Sequence, residues 1–197
     1  KAFMETDSSQ TFRAGFGEIK IQKNNLYLKD YYLHSLAKSR FGENKINVHE
    51  VELKELSIGD LLNGKLKARE LILVDPTVKI LLPAGKKRKN GLDWQTLQNK
   101  INKNLDIGLI RILNAQVTVN QENRAKPLVK TDSFYAIIAS RNVLRSQSLE
   151  QLFAAENSFS MPKLAIRLPN MNIDLVNAEY GGNSLSASSA TGATKNG

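Results

Sequence analysis

Apolar residues along this chain recur in one ten-residue pattern: apolar-x-apolar, a break of four residues, then apolar-x-apolar. The pattern occurs four times, at 19–28, 71–80, 110–119 and 166–175. Such alternation is typical of β-strands that bury one face. Three breaks carry a turn or strand-breaking signal, as at Asp75-Pro76 and Pro169-Asn170. Each copy predicts either one long, bulged strand or a short hairpin, and the long strand is favoured.

Three copies extend into longer runs in which the apolar residues fall on one face of an extended strand. Charged residues interrupt these runs at Glu70, Arg111 and Arg167. Pro76, Ala115 and Pro169 are predicted to occupy equivalent bulges or turns. The runs comprise Leu66, Ala68, Ile72, Val74, Pro76, Val78, Ile80 and Leu82, then Leu109, Leu113, Ala115, Val117 and Val119, then Ala165, Pro169, Met171, Ile173 and Leu175.

Helical signals lie between the strand segments. Leu92 to Leu105 places apolar residues on one helix face, and Ser148 to Gln151 matches a capping box that opens a helix of about two turns. Ile58 to Leu62 predicts a short helical turn, closed by Asn63-Gly64. Strand-like stretches also run from Ile46 to Leu56 and from Phe134 to Ala139.

Together these elements predict a β-rich α+β fold. We expect an extended, twisted, mostly antiparallel sheet, groove-like in shape, with one or two helices packed on it. One domain is expected over residues 1–181. From 182 to 197 the composition shifts to Ser, Ala, Thr, Gly and Asn, which predicts a flexible tail.

Charge and candidate chemistry favour a binding protein over an enzyme. The formal charge is +9 and there is no Cys, so thiolate metal sites are excluded. His34 and His49 are the only imidazoles, too few for a multi-histidine metal site. Nucleotide-binding, hydrolase and metalloprotease motifs do not occur. We therefore expect no catalytic residue, no metal and no cofactor.

The densest basic cluster is Lys86, Lys87, Arg88 and Lys89. It is a candidate for contact with an anionic surface, since basic residues are attracted to acidic lipid headgroups and to nucleic acid. The alternative is a solvated turn that links a strand to a helix. Nucleic-acid binding is the less favoured option, because no aromatic residues are interleaved with the basic ones.

Residues 48–82 resemble the amino-terminal region of the AsmA-like family of bacterial envelope proteins. In that family a strand, a short turn containing leucines and glycine, and a proline-containing strand follow one another. Here Leu61, Leu62, Gly64, Leu66, Leu71, Leu73, Pro76, Val78 and Ile80 fill those positions. The segments 90–94 and 110–117 are similar to the helix and strand that come next in the family. The likeness covers about half of the chain.

The resemblance implies a periplasmic, non-enzymatic module that handles phospholipids or assists outer-membrane assembly through an apolar β-groove. A family member carries an inner-membrane anchor, which we expect in the full-length parent because this chain begins at Lys1. Lipid or a membrane surface is the expected partner, alongside envelope proteins and a second copy of the chain. The candidate groove residues are Leu113, Val117, Ile173 and Leu175. The alternative is a scaffold or adhesion module that binds proteins and no lipid.

Overall fold

The computed structural model describes residues 2–4, 12–35, 44–82, 105–140 and 157–194. Within these residues the chain forms thirteen β-strands and one short helix. The elements are β1 (Ala2–Met4), β2 (Phe12–Phe16), β3 (Glu18–Gln22), β4 (Asn25–Ser35), β5 (Asn44–Lys54), α1 (Ile58–Leu62), β6 (Leu66–Val74), β7 (Thr77–Leu82), β8 (Leu105–Gln121), β9 (Val129–Ala139), β10 (Ser158–Arg167), β11 (Met171–Gly181), β12 (Ser184–Ser186) and β13 (Ser189–Thr194).

All the described strands belong to one sheet with the order β1-β2-β4-β5-β6-β8-β9-β10-β11-β12. The other three strands continue a neighbour across a break: β3 continues β2 along β4, β7 continues β6 between β5 and β8, and β13 continues β12 along β11. The pairings are antiparallel except those of β8 with β6 and β7, which are parallel. The prediction of a large, β-rich and mostly antiparallel sheet is therefore confirmed.

The ten-residue pattern has two structural outcomes. The copies at 71–80 and 110–119 run in one direction without a hairpin. The first spans β6 and β7, and the second lies within the long strand β8. The copies at 19–28 and 166–175 are hairpins, in which β3 turns into β4 and β10 turns into β11. The repeat thus describes two kinds of structure with the same spacing of apolar residues. Pro169 lies in the second hairpin turn, so it is not the equivalent of Pro76.

Helix α1 lies at one end of the sheet and spans the residues for which the sequence predicts a short helical turn. The Ser57 hydroxyl accepts a hydrogen bond from the Asp60 backbone N–H (3.4 Å), which caps the first turn. Gly64 follows the helix in a left-handed conformation. Next to the helix, apolar side chains close this end of the sheet as a packed cluster. The cluster comprises Leu26, Leu53, Leu56, Ala68 and Ile107, with Leu28, Leu61, Leu66, Leu71, Leu105 and Ile110 against it.

The segment expected to be a flexible tail instead extends the sheet, which corrects that expectation. Residues 184–186 and 189–194 form β12 and β13 along β11, with every side chain exposed. Small residues with little apolar content are no obstacle to an edge strand, because the partner strand supplies the hydrogen bonds. Residues 195–197 lie outside the described residues.

Other predictions cannot be compared with the structure. The basic cluster at 86–89 and the capping box at 148–151 lie outside the described residues, as does the helix predicted from Leu92, up to residue 104. Leu105, its predicted last residue, is the first residue of β8. The strands predicted at Ile46–Leu56 and Phe134–Ala139 correspond to β5 and to part of β9.

Gly108 permits the close approach of two parallel strands. A Cβ atom at position 108 of β8 would lie 2.7 Å from the Arg69 carbonyl oxygen of β6. Gly108→Ala should therefore lower the free energy of unfolding by about 1–3 kcal/mol, since a backbone carbonyl cannot move aside cheaply. Urea denaturation measures this change. The control is Gly59→Ala in α1, where nothing lies within 4 Å of the new Cβ. Equal stability of the two variants would contradict the packing described.

Candidate functional site

Rows of apolar side chains cross the sheet from one edge to the other. Residues paired across neighbouring strands share a face, so the registers of successive pairs define each row. One row is Ile19, Leu28, Val51, Leu73, Ile112, Ala136, Phe159, Tyr180 and Leu185. Another is Leu33, Ile46, Val78, Val117, Thr131, Leu164, Leu175 and Ala190. Thr131 is the only polar side chain in either row apart from the Tyr180 hydroxyl.

Phe134 shows that the two rows lie on the same face. It is two residues from Ala136 on β9, and its ring stacks on Phe159 with the centroids 6.1 Å apart. Phe134 is also paired with Ala115, which is two residues from Val117 on β8. We call this shared surface the apolar face. Among the described residues, every buried hydrophobic side chain except Ile72 lies on it or in the cluster next to α1.

The two rows are separated by a line of residues that we call the seam. The registers align Gly17, Asp30, His49, Asp75 and Asn114 in one part of the sheet, and Ser133, Pro162, Asn177 and Ser188 in the other. The register shifts between β8 and β9 separate the two parts. Five of these residues are non-glycine residues with a left-handed backbone, with φ between 47° and 57°. They are Asp30, Asp75, Asn114, Ser133 and Asn177. Asp and Asn tolerate this conformation better than most residues.

The seam keeps the apolar face continuous. Leu73 and Val78, or Ile112 and Val117, are five residues apart, and strict alternation would place them on opposite faces. The left-handed residue between them adds one residue to the strand and restores the original face. Because neighbouring strands each carry the extra residue at the same level, most of the registers continue unchanged across the seam. Register shifts occur between β8 and β9, on both sides of Ala115.

Hydrogen bonds join the seam residues of adjacent strands. The Asn114 side-chain amide donates to the Asp75 carboxylate (2.7 Å), and the Asp75 N–H donates to the Leu113 carbonyl (2.9 Å). Pro76 has no N–H to donate, but its carbonyl accepts from Gln116 (2.8 Å). At the far edge, the Asn177 amide donates to the Ser188 hydroxyl (3.2 Å). Backbone hydrogen bonds and polar side chains together thus connect the strands at the seam.

The opposite face is largely polar and carries a group of ion pairs. Glu70 on β6 is almost fully buried and pairs with Arg111 on β8 and with Lys54 on β5 (3.6 Å). Lys54 also lies 3.7 Å from Glu52. These charges were expected to interrupt the apolar runs on the groove side. They lie on the opposite face because of the extra residue at the seam. Ile72, Val74 and Arg111 precede the seam, and the extra residue places them on the face opposite to Val78 and Val117.

The four predicted groove residues divide between the two faces. Val117, Ile173 and Leu175 lie on the apolar face, half-buried, in adjacent rows. Leu113 lies on the opposite face, paired with Val74, with 37% of its surface exposed. The placement of Leu113 is a correction to the sequence analysis. It precedes Asn114, so the alternation that connects it to Val117 fails at the seam.

His34 on the opposite face and His49 in the seam both line a shallow cavity of about 510 Å³. His49 Nδ1 is 3.4 Å from Asp30, and His34 Nε2 is 2.8 Å from the Asn47 amide oxygen. Within the described part of the chain, no three His, Asp or Glu side chains are placed to hold a metal ion. Tyr31 also lines this cavity, and burial raises the pKa of its hydroxyl above the usual value.

The seam residues are the positions of the candidate site that the sequence did not predict. Their signal is present in the chain: a change of parity between apolar pairs five residues apart, with Asp, Asn or Ser in the gap. Asp75 between Leu73 and Val78, and Asn114 between Ile112 and Val117, both fit this rule. If the four-residue break is treated as a simple gap, the change of face between its two sides is overlooked.

No helix in the described residues is both long and apolar enough to span a membrane. Among families of known proteins, no family model matches the chain, and no curated protein matches it.

The seam makes a testable contribution to stability through Asn114, whose φ is 57°. Asn114→Val should lower the free energy of unfolding by about 1–2 kcal/mol, because a β-branched residue is strained in the left-handed region. Asn114→Gly should cost less, since only the hydrogen bond to Asp75 is lost. The control is Asn120→Val on the same strand, where the backbone is not left-handed. Thermal unfolding that ranks Asn120→Val as the more damaging change would contradict the role of the seam.

Proposed function

We propose that this chain is a non-enzymatic module of the AsmA-like type that binds the acyl chains of phospholipids along its apolar face. In this proposal it works in the periplasm, as part of a parent anchored in the inner membrane. There it contributes to phospholipid handling or outer-membrane assembly. The observation that carries the proposal is the continuity of the apolar rows across the seam.

The dimensions of the apolar face support an extended apolar ligand. Ten strand positions at about 4.8 Å give a width of roughly 45 Å, and the 17 residues of β8 give a length of about 55 Å. Transfer of each methylene group from water to such a surface stabilises the complex by about 0.8 kcal/mol. A long acyl chain therefore gains enough free energy to bind without any specific polar contact along its length.

The exposure of the ends of the rows agrees with this proposal. Ile19 and Ile21 at the β3 edge are half-exposed, and Leu185 at the β12 edge is 65% exposed. The apolar rows thus reach solvent at both edges of the described sheet. An open face gives a lipid lateral access along the strands.

The alternative function is a protein-binding scaffold with no lipid ligand, and the sheet edges favour it. All residues of β13 are exposed, and this strand has no Lys, Glu or Pro to discourage pairing with another chain. A peptide could add a strand there through main-chain hydrogen bonds. Lipid carried by the purified protein distinguishes the two functions.

Val117→Asp combined with Ile173→Asp tests the lipid proposal. Two carboxylates on the apolar face should abolish the phospholipid that co-purifies with the protein, because burying them against acyl chains is costly. Native mass spectrometry of the purified protein measures the lipid carried. Thermal unfolding of the variant should remain cooperative if the face is open.

The matched control is Thr118→Asp combined with Val176→Asp, which places the same charges on the same two strands but on the opposite face. This variant should keep its lipid. If both pairs of changes leave the lipid in place, or if the wild-type protein carries none, the proposal is wrong. If only the first variant fails to fold, the face is a closed core, which also contradicts the proposal.

A further inference from the structure

A cationic cavity lies at the end of the sheet away from α1. Its volume is about 390 Å³, and the loop between β8 and β9 and the turn between β10 and β11 form its walls. Its basic residues come from two segments that are far apart in the chain. The lining residues are Arg124, Ala125, Lys126, Arg167, Leu168 and Asn172.

Hydrogen bonds fix two of the three cations in place. Arg167 donates to the carbonyls of Ile166 (3.2 Å) and Ile173 (3.0 Å) and pairs with the Asp174 carboxylate. Arg124 Nη1 donates to the Arg167 carbonyl (3.0 Å), which ties the loop to the turn. The other side-chain N–H groups of Arg124 have no partner among the described residues. The guanidinium is therefore held in position while most of its donors stay available.

The charge around the cavity is positive. Asp174 offsets Arg167, but no carboxylate offsets Arg124 or Lys126 in the lining. Glu122, in the same loop, is exposed and does not line the cavity. The donors of Arg form a planar fork that matches the oxygens of a phosphate group, and Lys adds a mobile positive charge. A group with several anionic oxygens is the ligand that this arrangement suits.

The apolar face ends close to the cavity. Ile166 and Ile173 are paired on the apolar face, whereas the next pair, Arg167 and Asn172, lies on the opposite face. Leu168, in the cavity lining, is 43% exposed. A ligand with its phosphate in the cavity therefore reaches the apolar face around the end of the sheet, past Leu168 in the turn.

We propose that this cavity binds a phosphate group, with Arg124 and Lys126 as its principal contacts. The phosphate belongs to a phospholipid headgroup whose acyl chains lie on the apolar face, and this assignment rests on the proposed function. Free phosphate has the same binding chemistry, so the experiment includes both sources.

Isothermal titration calorimetry of the whole chain tests the inference with three probes. The probes are dihexanoylphosphatidylglycerol below its micelle concentration, inorganic phosphate, and dihexanoylglycerol, which lacks the phosphate. The variant is Arg124→Gln combined with Lys126→Gln. The control, Lys67→Gln combined with Lys79→Gln, removes the same charge from exposed positions on β6 and β7. Urea denaturation of both variants establishes that they fold.

The phospholipid should bind the Arg124→Gln, Lys126→Gln variant at least about tenfold more weakly than the wild type, since charge-assisted hydrogen bonds are lost. The control should stay within about twofold of the wild type. If inorganic phosphate also binds the wild type, and binds the variant more weakly by the same factor, the site takes free phosphate. If only the phospholipid binds, the site takes the phosphate of a lipid headgroup.

Equal losses in the two variants, or no loss in either, would overturn the phosphate site. Equal affinity of the wild type for dihexanoylglycerol and the phospholipid would also overturn it, while leaving acyl binding by the apolar face intact. If the protein carries no lipid but binds inorganic phosphate through Arg124 and Lys126, the proposed function fails and the site stands.

Discussion

Alternation of side chains along a β-strand is the constraint on which this structure depends. Each residue points to the face opposite its neighbour, so an odd spacing between apolar residues places them on different faces. In β6 with β7 and in β8, the apolar pairs on either side of the seam are five residues apart. One left-handed residue per strand, Asp75 or Asn114, resolves this conflict. Since the same solution occurs at the same level in neighbouring strands, the sheet stays paired and its apolar face stays continuous.

The two faces of the sheet are stabilised by different interactions. On the apolar face, aromatic rings of neighbouring strands are in contact: Phe134 stacks on Phe159, and Phe159 contacts Tyr180 in a tilted arrangement. On the opposite face, the buried Glu70 is flanked by Lys54 and Arg111 from the two adjacent strands. Removing one member of such a group is costly, because it leaves a buried charge without compensation. This arrangement favours one register of β5, β6 and β8 and fixes which residues face the lipid in the proposed function.

Much of the fold could be predicted from the sequence because short-range signals were consistent. Strand alternation identified β5, β6 with β7, β8 and β9, and the turn signal at Asn63-Gly64 located α1. The parity change at the seam was missed, because it depends on a backbone conformation that Asp and Asn adopt only when neighbouring strands require it. Leu113 was therefore assigned to the groove, although Val117, Ile173 and Leu175 do share the apolar face. The strands after residue 183 were missed because their small polar residues pair through the backbone, which composition does not reveal.

The central claim is that acyl chains contact the apolar face and not the opposite one. The most direct test is methyl NMR of the protein with a phospholipid that carries a nitroxide near the end of one acyl chain. Paramagnetic broadening should be strong for the methyl groups of Val117, Ile173 and Leu175, and weak for those of Leu113 and Val176. Broadening that is equal on the two faces, or confined to Leu113 and Val176, would contradict the account.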